Sequence, residues 1–200
     1  MTEPNLYATP NAELDDPTGA PGAFYVVSIR KFVILFPSTL GMYSLYWFYA
    51  HWRNFKHRFG DSIWPVPRAI FNIFFVHSLY GNIRDRLKDR GLSYDWSPMP
   101  LATFFVVLSI LSLVLDRVAQ SGTWSPQADI LGFLIMPLSM FAMIPAQKAA
   151  NVYEEDPAGE SNSSFTAANY LWVLLGLMLW LVTVFAMLVI FGVVPTDVEQ

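Results

Sequence analysis

Chemistry in this 200-residue chain would have to come from very few side chains. There is no Cys, which excludes disulfides and thiolate metal sites. Of the three His residues, His51 and His57 flank a basic stretch and lack the i, i+4 spacing of a helical metal pair. They read as interfacial residues. His77 lies in the apolar run Ala69–Tyr80, which also holds Asn72. An ionisable group at membrane depth is a candidate functional site, but a run this short is more often interfacial, where His77 would simply face water. Pro37 and Gly41 interrupt another apolar stretch. Broken helices expose backbone groups that can line a cavity, so Pro37, Gly41, Asn72 and His77 form the candidate cavity or hinge set. No Gly-rich phosphate loop, carboxylate pair inside an apolar window or metal-ligand cluster occurs. Asp116, Arg117 and Asp129 fall at the ends of apolar windows, where snorkelling or local pairing accounts for them. The expectation is therefore no catalytic residue, no cofactor, no metal and no enzyme.

The elements that must position these residues are apolar and long. The chain is 54% hydrophobic and 14% charged, where a soluble domain carries about a quarter charged. Whole windows lack charge, the pattern of membrane spans. The fold class expected is all-α: a polytopic membrane helix bundle of about four transmembrane helices plus a short interfacial or re-entrant helix. The spans are placed at 32–50, 101–118, 130–146 and 171–194, the short helix at 67–83. Together they make one domain, 24–194, between an acidic flexible tail at 1–23 and a short tail at 195–200. No cleavable signal peptide is expected, because the first residues are acidic and no apolar run follows a basic start.

The stretch Thr39–Arg58 carries the densest signal. Tyr46, Trp47, Tyr49 and Trp52 precede Arg53, Lys56 and Arg58. Aromatic rings with polar tips settle at headgroup level, and Lys and Arg beyond a span collect on the cytoplasmic side, so these seven residues read as a membrane-interface anchor. Upstream, Ser28 is a plausible N-cap and Arg30-Lys31 mark the entrance of the first apolar segment. The break at Pro37–Gly41 is read as a kink in a continuous span, with a re-entrant hairpin as the alternative. Ala142, Ala146 and Ala150 form a small-residue stripe suited to close helix packing, or simply favour the helix that carries them.

Several phrases resemble known proteins. T-L-G-x-Y-x-L-Y-W-F-Y-x-x-W at Thr39–Trp52, the phrase Trp64–Leu79 and the pair Pro145–Lys148 and Asn169–Trp172 resemble a family of uncharacterised bacterial inner-membrane proteins. The resemblance covers most of the chain and implies a multi-pass protein of the bacterial inner membrane; it supplies no activity and no catalytic residue. Asn5–Leu14 is similar to an N-P-Y-x-x-P-x-A-x-L phrase that opens many such proteins, with Leu6 departing from it. It reads as a leader, with a partner-binding peptide as the sharper alternative. The Asn162-Ser-Ser164 sequon is a chance match on this reading.

Most Lys and Arg lie in 51–90, so the positive-inside rule puts 51–100 and 147–169 in the cytoplasm and both tails outside. The hairpin alternative brings the N-terminus inside and leaves Arg117 alone outside. The function expected first is association, as a scaffold, accessory subunit or homo-oligomer. The alternative is a small permease or lipid-handling protein with a cavity near Pro37–Gly41 and His77. A third reading, a surface sensor, rests on the 51–90 charges, each worth roughly 1 kcal/mol with anionic headgroups. Expected partners are membrane lipids, anionic headgroups at 51–90, and a second copy or another membrane protein; nucleic acid is not among them.

Overall fold

The computed structural model describes residues 22–60, 62–122, 124 and 127–193. The leader phrase at 5–14, most of the N-terminal tail and the tail at 195–200 lie outside them. The chain is a helical bundle: α1 (Ile29–Ser38), α2 (Tyr43–Phe59), α3 (Pro65–Ile70), α4 (Asn72–Asp89), α5 (Pro98–Gln120), α6 (Gln127–Tyr153) and α7 (Ala167–Ile190). Among the described residues, α5, α6 and α7 are the three helices long and apolar enough to cross a membrane. Their outer faces carry exposed Val, Leu, Ile and Phe, an arrangement stable in hydrocarbon and not in water. The protein is membrane-embedded.

The expected span at 32–50 is divided. Ser28 caps α1 by accepting the N–H of Lys31, and the helix ends one residue after Pro37, which has no N–H to give the Val33 carbonyl and so weakens the last turn. Leu40 and Gly41 then take positive φ, 51° and 81°. This is the left-handed region that Gly enters freely and Leu at a cost of about 1–2 kcal/mol. Thr39 pins the turn: its hydroxyl donates to Leu35 O at 2.9 Å and accepts the N–H of Tyr43 at 3.0 Å, filling the role of an N-cap for α2. The chain reverses. Phe32 packs on Tyr43 and Trp47, and Phe24 on His51 and Phe55, so 24–38 runs antiparallel to α2. The favoured kinked span is corrected to a hairpin.

The short helix expected at 67–83 is also larger. Pro65 starts α3, a break at Phe71 separates it from α4, and α4 runs on to Asp89. Helices α5 and α6 pack together, α4 lies against both, and α1 sits between α6 and α7. The main core joins α1, α2, α4 and the C-terminal part of α6. Ala142, Ala146 and Ala150 are fully buried there, and Tyr80 donates its hydroxyl to the Ala142 carbonyl at 3.1 Å. The small-residue stripe serves packing within the chain.

Candidate functional site

The site is built on an extended segment, 22–28, whose backbone is paired by side chains instead of by a strand. Phe24 N–H donates to Glu154 Oε1 (2.7 Å) and Phe24 O accepts from Asn54 Nδ2 (3.2 Å). Tyr25 N–H donates to His51 Nδ1 (3.4 Å), and Tyr25 O accepts from Gln147 Nε2 (2.9 Å). Asn151 takes both polar groups of Val27, at 3.4 and 3.0 Å. Gln147 is the hub. Its Oε1 accepts the indole N–H of Trp47 and faces His51 Nε2 at 3.4 Å, and its Nε2 also reaches Asn151 Oδ1 at 2.7 Å. Because Nδ1 of His51 accepts, the network assigns the proton to Nε2, which donates to Gln147. Complete burial pushes the His51 pKa down to about 3, the Gln147 hydrogen bond opposing the shift. His51 is thus a neutral interior residue, which corrects its expected interfacial place.

The loop after α6 closes the arrangement. Asp156 accepts the N–H groups of Glu160 (2.8 Å) and Ser161 (2.9 Å). The Ser161 bond above all holds its carboxyl below the usual range. This folds the 3-10 turn Glu160–Asn162 and aims Asn162 at the extended segment. Asn162 Nδ2 donates to Val26 O (2.8 Å) and to the Tyr25 hydroxyl (3.0 Å). Gly159, at φ 67°, presses on the backbone of Val27 and Ser28 where a Cβ would collide. The other side of Asn162 receives Lys31: Nζ donates to Asn162 Oδ1 and to Ser164 O, both at 2.7 Å. The sequon read as chance thus supplies both acceptors.

Beside this junction lies a groove of about 490 Å³, within the usual range for ligand pockets. Its walls are α1, α2, α3 and the first turn of α7, and Tyr46, Tyr49, Val66, Ile70 and Trp172 line it. A second cleft of about 230 Å³ shares Thr39, Met42 and Trp172 with it and continues along α7 past Leu175 and Leu179 to Val182. Gly176 lines this cleft and lets α7 approach closely: a Cβ there would overlap the Ser38 carbonyl, so α7 lies directly on the broken end of α1. The indole N–H of Trp180 donates to Pro37 O at 2.9 Å, tying the same crossing.

Several expected residues fall elsewhere. Trp47 and Trp52 have no exposed surface; with Phe48 and Phe55 they form the inward stripe of α2, because 3.6-residue periodicity splits an aromatic block between two faces. Tyr46 and Tyr49 are left toward the groove, while Lys56 and Arg58 are exposed. The seven-residue anchor is therefore not one surface. Asn72 bonds the Ala69 carbonyl at 3.1 Å and His77 faces Thr103 Oγ1 at 3.0 Å, and neither lines the groove. The hinge pair Pro37 and Gly41 borders the site without His77.

The 51–90 charges are largely engaged at home. Arg68 stacks on Trp52 at 4.3 Å, Arg86 on Phe59 at 3.9 Å and Arg90 on Tyr153 at 4.1 Å. Arg84 pairs with Asp85 at 2.8 Å. Sequence reasoning missed Gln147, Asn151, Asn54 and the role of Lys31. The available signal was an i, i+4 pair of amides, Gln147 and Asn151, on the same helix stretch as the buried alanines. Among the described residues no group of three or more His, Asp or Glu gathers to hold a metal. No family model, curated protein or solved structure matches the chain.

Proposed function

We propose that the chain is a multi-pass membrane protein that binds a lipid in the groove at the α1–α2 break. The observation that carries this is the continuity of the two cavities, polar at the Asn162 end and apolar along α7. From Asn169 to Val182 the helical rise is about 20 Å, somewhat more than half of a hydrocarbon core of about 30 Å. That is the depth of one leaflet, so a lipid head at the α7 N-terminus would leave its chain beside the lower helix. Binding is the whole of the proposal; no chemical transformation is part of it. Association is the weaker reading, since the alanine stripe that motivated it is covered inside the chain.

In this proposal α5, α6 and α7 span and the α1–α2 hairpin enters and leaves on one face. Residues 22–97 and 154–166 then share the cytoplasmic side, with Arg117 across the membrane, which satisfies the positive-inside rule. The bacterial inner membrane implied by the motif resemblance is the proposed location. Cysteines introduced singly at His57, Ser93 and Ser161 should label from one side and one at Gly122 from the other; labelling of His57 from the Gly122 side would remove this topology.

The lipid reading is tested by native mass spectrometry of protein extracted in mild detergent. Wild type is expected to carry bound lipid. Ala168→Trp, at an exposed position lining the groove, should fold normally and lose it. Equal lipid occupancy in both proteins would overturn the assignment.

A further inference from the structure

Lys31 is 2% exposed, and among the described residues no carboxylate pairs with it. Its two hydrogen-bond partners, Asn162 Oδ1 and Ser164 O, are neutral. An ammonium has three donors, so one N–H makes no hydrogen bond, and the Phe165 ring lies 6.0 Å from Nζ. A buried charge ordinarily has a counter-ion, because hydrogen bonds to neutral groups offset only part of its desolvation. Burial accordingly pushes the Lys31 pKa below the usual lysine range. Lys31 is also the one charged residue among those lining the groove.

The neighbouring groups are donors too. Asn162 donates to the Tyr25 hydroxyl, the Tyr25 and Tyr43 hydroxyls lie 3.1 Å apart with either able to donate, and Tyr43 lines the groove, where its hydroxyl can turn to a ligand. Asn169 accepts the Thr166 N–H and hydroxyl through Oδ1, which leaves its amide N–H groups to a ligand, and Asn169 lines the same groove. They stand at the first turn of α7, a 24-residue helix whose N-terminus is the positive end of its dipole. Donors converge here with no acidic side chain to answer them. A neutral head would leave that positive potential uncompensated, and the choline of a zwitterionic head would set a second positive charge beside it, while a net-anionic head answers the leftover donors with a charged oxygen.

Resting on the lipid-binding reading, we infer that the groove selects an amphiphile with an anionic head, held by Lys31, Tyr43 and the α7 N-terminus, its chain in the cleft past Leu175. The head is a carboxylate or a phosphate; their shared chemistry is a negatively charged oxygen, and the chain distinguishes either from a free anion.

The test uses full-length protein in delipidating detergent, titrated by native mass spectrometry with four probes: phosphatidylglycerol, phosphatidylcholine with the same chains, oleate, and inorganic phosphate. Wild type should prefer phosphatidylglycerol or oleate over phosphatidylcholine by about tenfold or more, because the choline ammonium is repelled beside Lys31 and the α7 N-terminus, and should not bind phosphate alone. Which of the two anions wins identifies the head. Lys31→Gln should bring the phosphatidylglycerol to phosphatidylcholine ratio to within about threefold of unity, and Lys31→Arg should keep it. Tyr43→Phe reports on the same head without touching the charge and should lower the preference by a smaller factor. Equal binding of both phospholipids by wild type overturns the anionic head and leaves the lipid site standing. Phosphate binding as tightly as lipid overturns it in favour of a small-anion site. Binding of no probe removes both readings.

Discussion

Two buried polar regions meet at Asn162 and differ in one respect. Around Gln147 each donor and acceptor has a partner: Trp47, His51, Asn151 and the backbone of 24–27 close on one another. Around Lys31 the donors outnumber the acceptors, beside an open groove that Lys31 lines. A completed network fixes a conformation, while one with donors to spare leaves a place for something else. The first region is thus architecture, and the second is where the proposed lipid head is held.

The largest way to break this contrast is at the hub. Gln147→Leu orphans the Trp47 indole, the His51 ring, Tyr25 O and part of Asn151 together. Each unpaired buried group costs about 1–3 kcal/mol, so a loss of about 4 kcal/mol or more in detergent unfolding is expected. Acid should act on the same region. His51 has a folded pKa of about 3 against an ordinary 6.5, so the unfolded chain takes up the proton first as the pH drops. Its contribution is whole above 6.5 and is lost as the pH falls from there toward 3. His51→Gln, which cannot titrate, should flatten the unfolding profile across that window.

On the groove side the effects shrink. Gly176→Val drives a side chain into the Ser38 carbonyl and should cost roughly 2–3 kcal/mol, with faster hydrogen exchange confined to α7. Lys31→Met in lipid-free protein removes a buried charge without a counter-ion and should change stability by less than about 1 kcal/mol in either direction. A loss as large as that of Gln147→Leu would place Lys31 in the architecture and erase the distinction.

How much of this was legible depended on whether the partner was local. The helices α5, α6 and α7 follow from charge-free windows, since hydrocarbon selects for them residue by residue. The break at Pro37–Gly41 was visible because Pro and Gly act on their own backbone, but its direction was not. A kink and a reversal use the same residues, and Thr39 bridging Leu35 and Tyr43 is what turns the chain. Trp47 and Trp52 were misplaced because an indole bound for a core and one bound for a headgroup layer look alike in sequence. Gln147, Asn151 and Asn162 were hidden because what they bind is main chain more than a hundred residues away.

That last separation bears on how the protein is made. The partners of 24–28 on α6 and its loop follow it by 122 to 136 residues, so a nascent chain that has emitted the hairpin can secure it only with the bonds from His51 and Asn54. Loop closure over such a distance is slow. The earliest described segment to emerge is among the last to be locked, and a chain stopped before Gln147 would leave the Tyr25 carbonyl and both polar groups of Val27 unpaired.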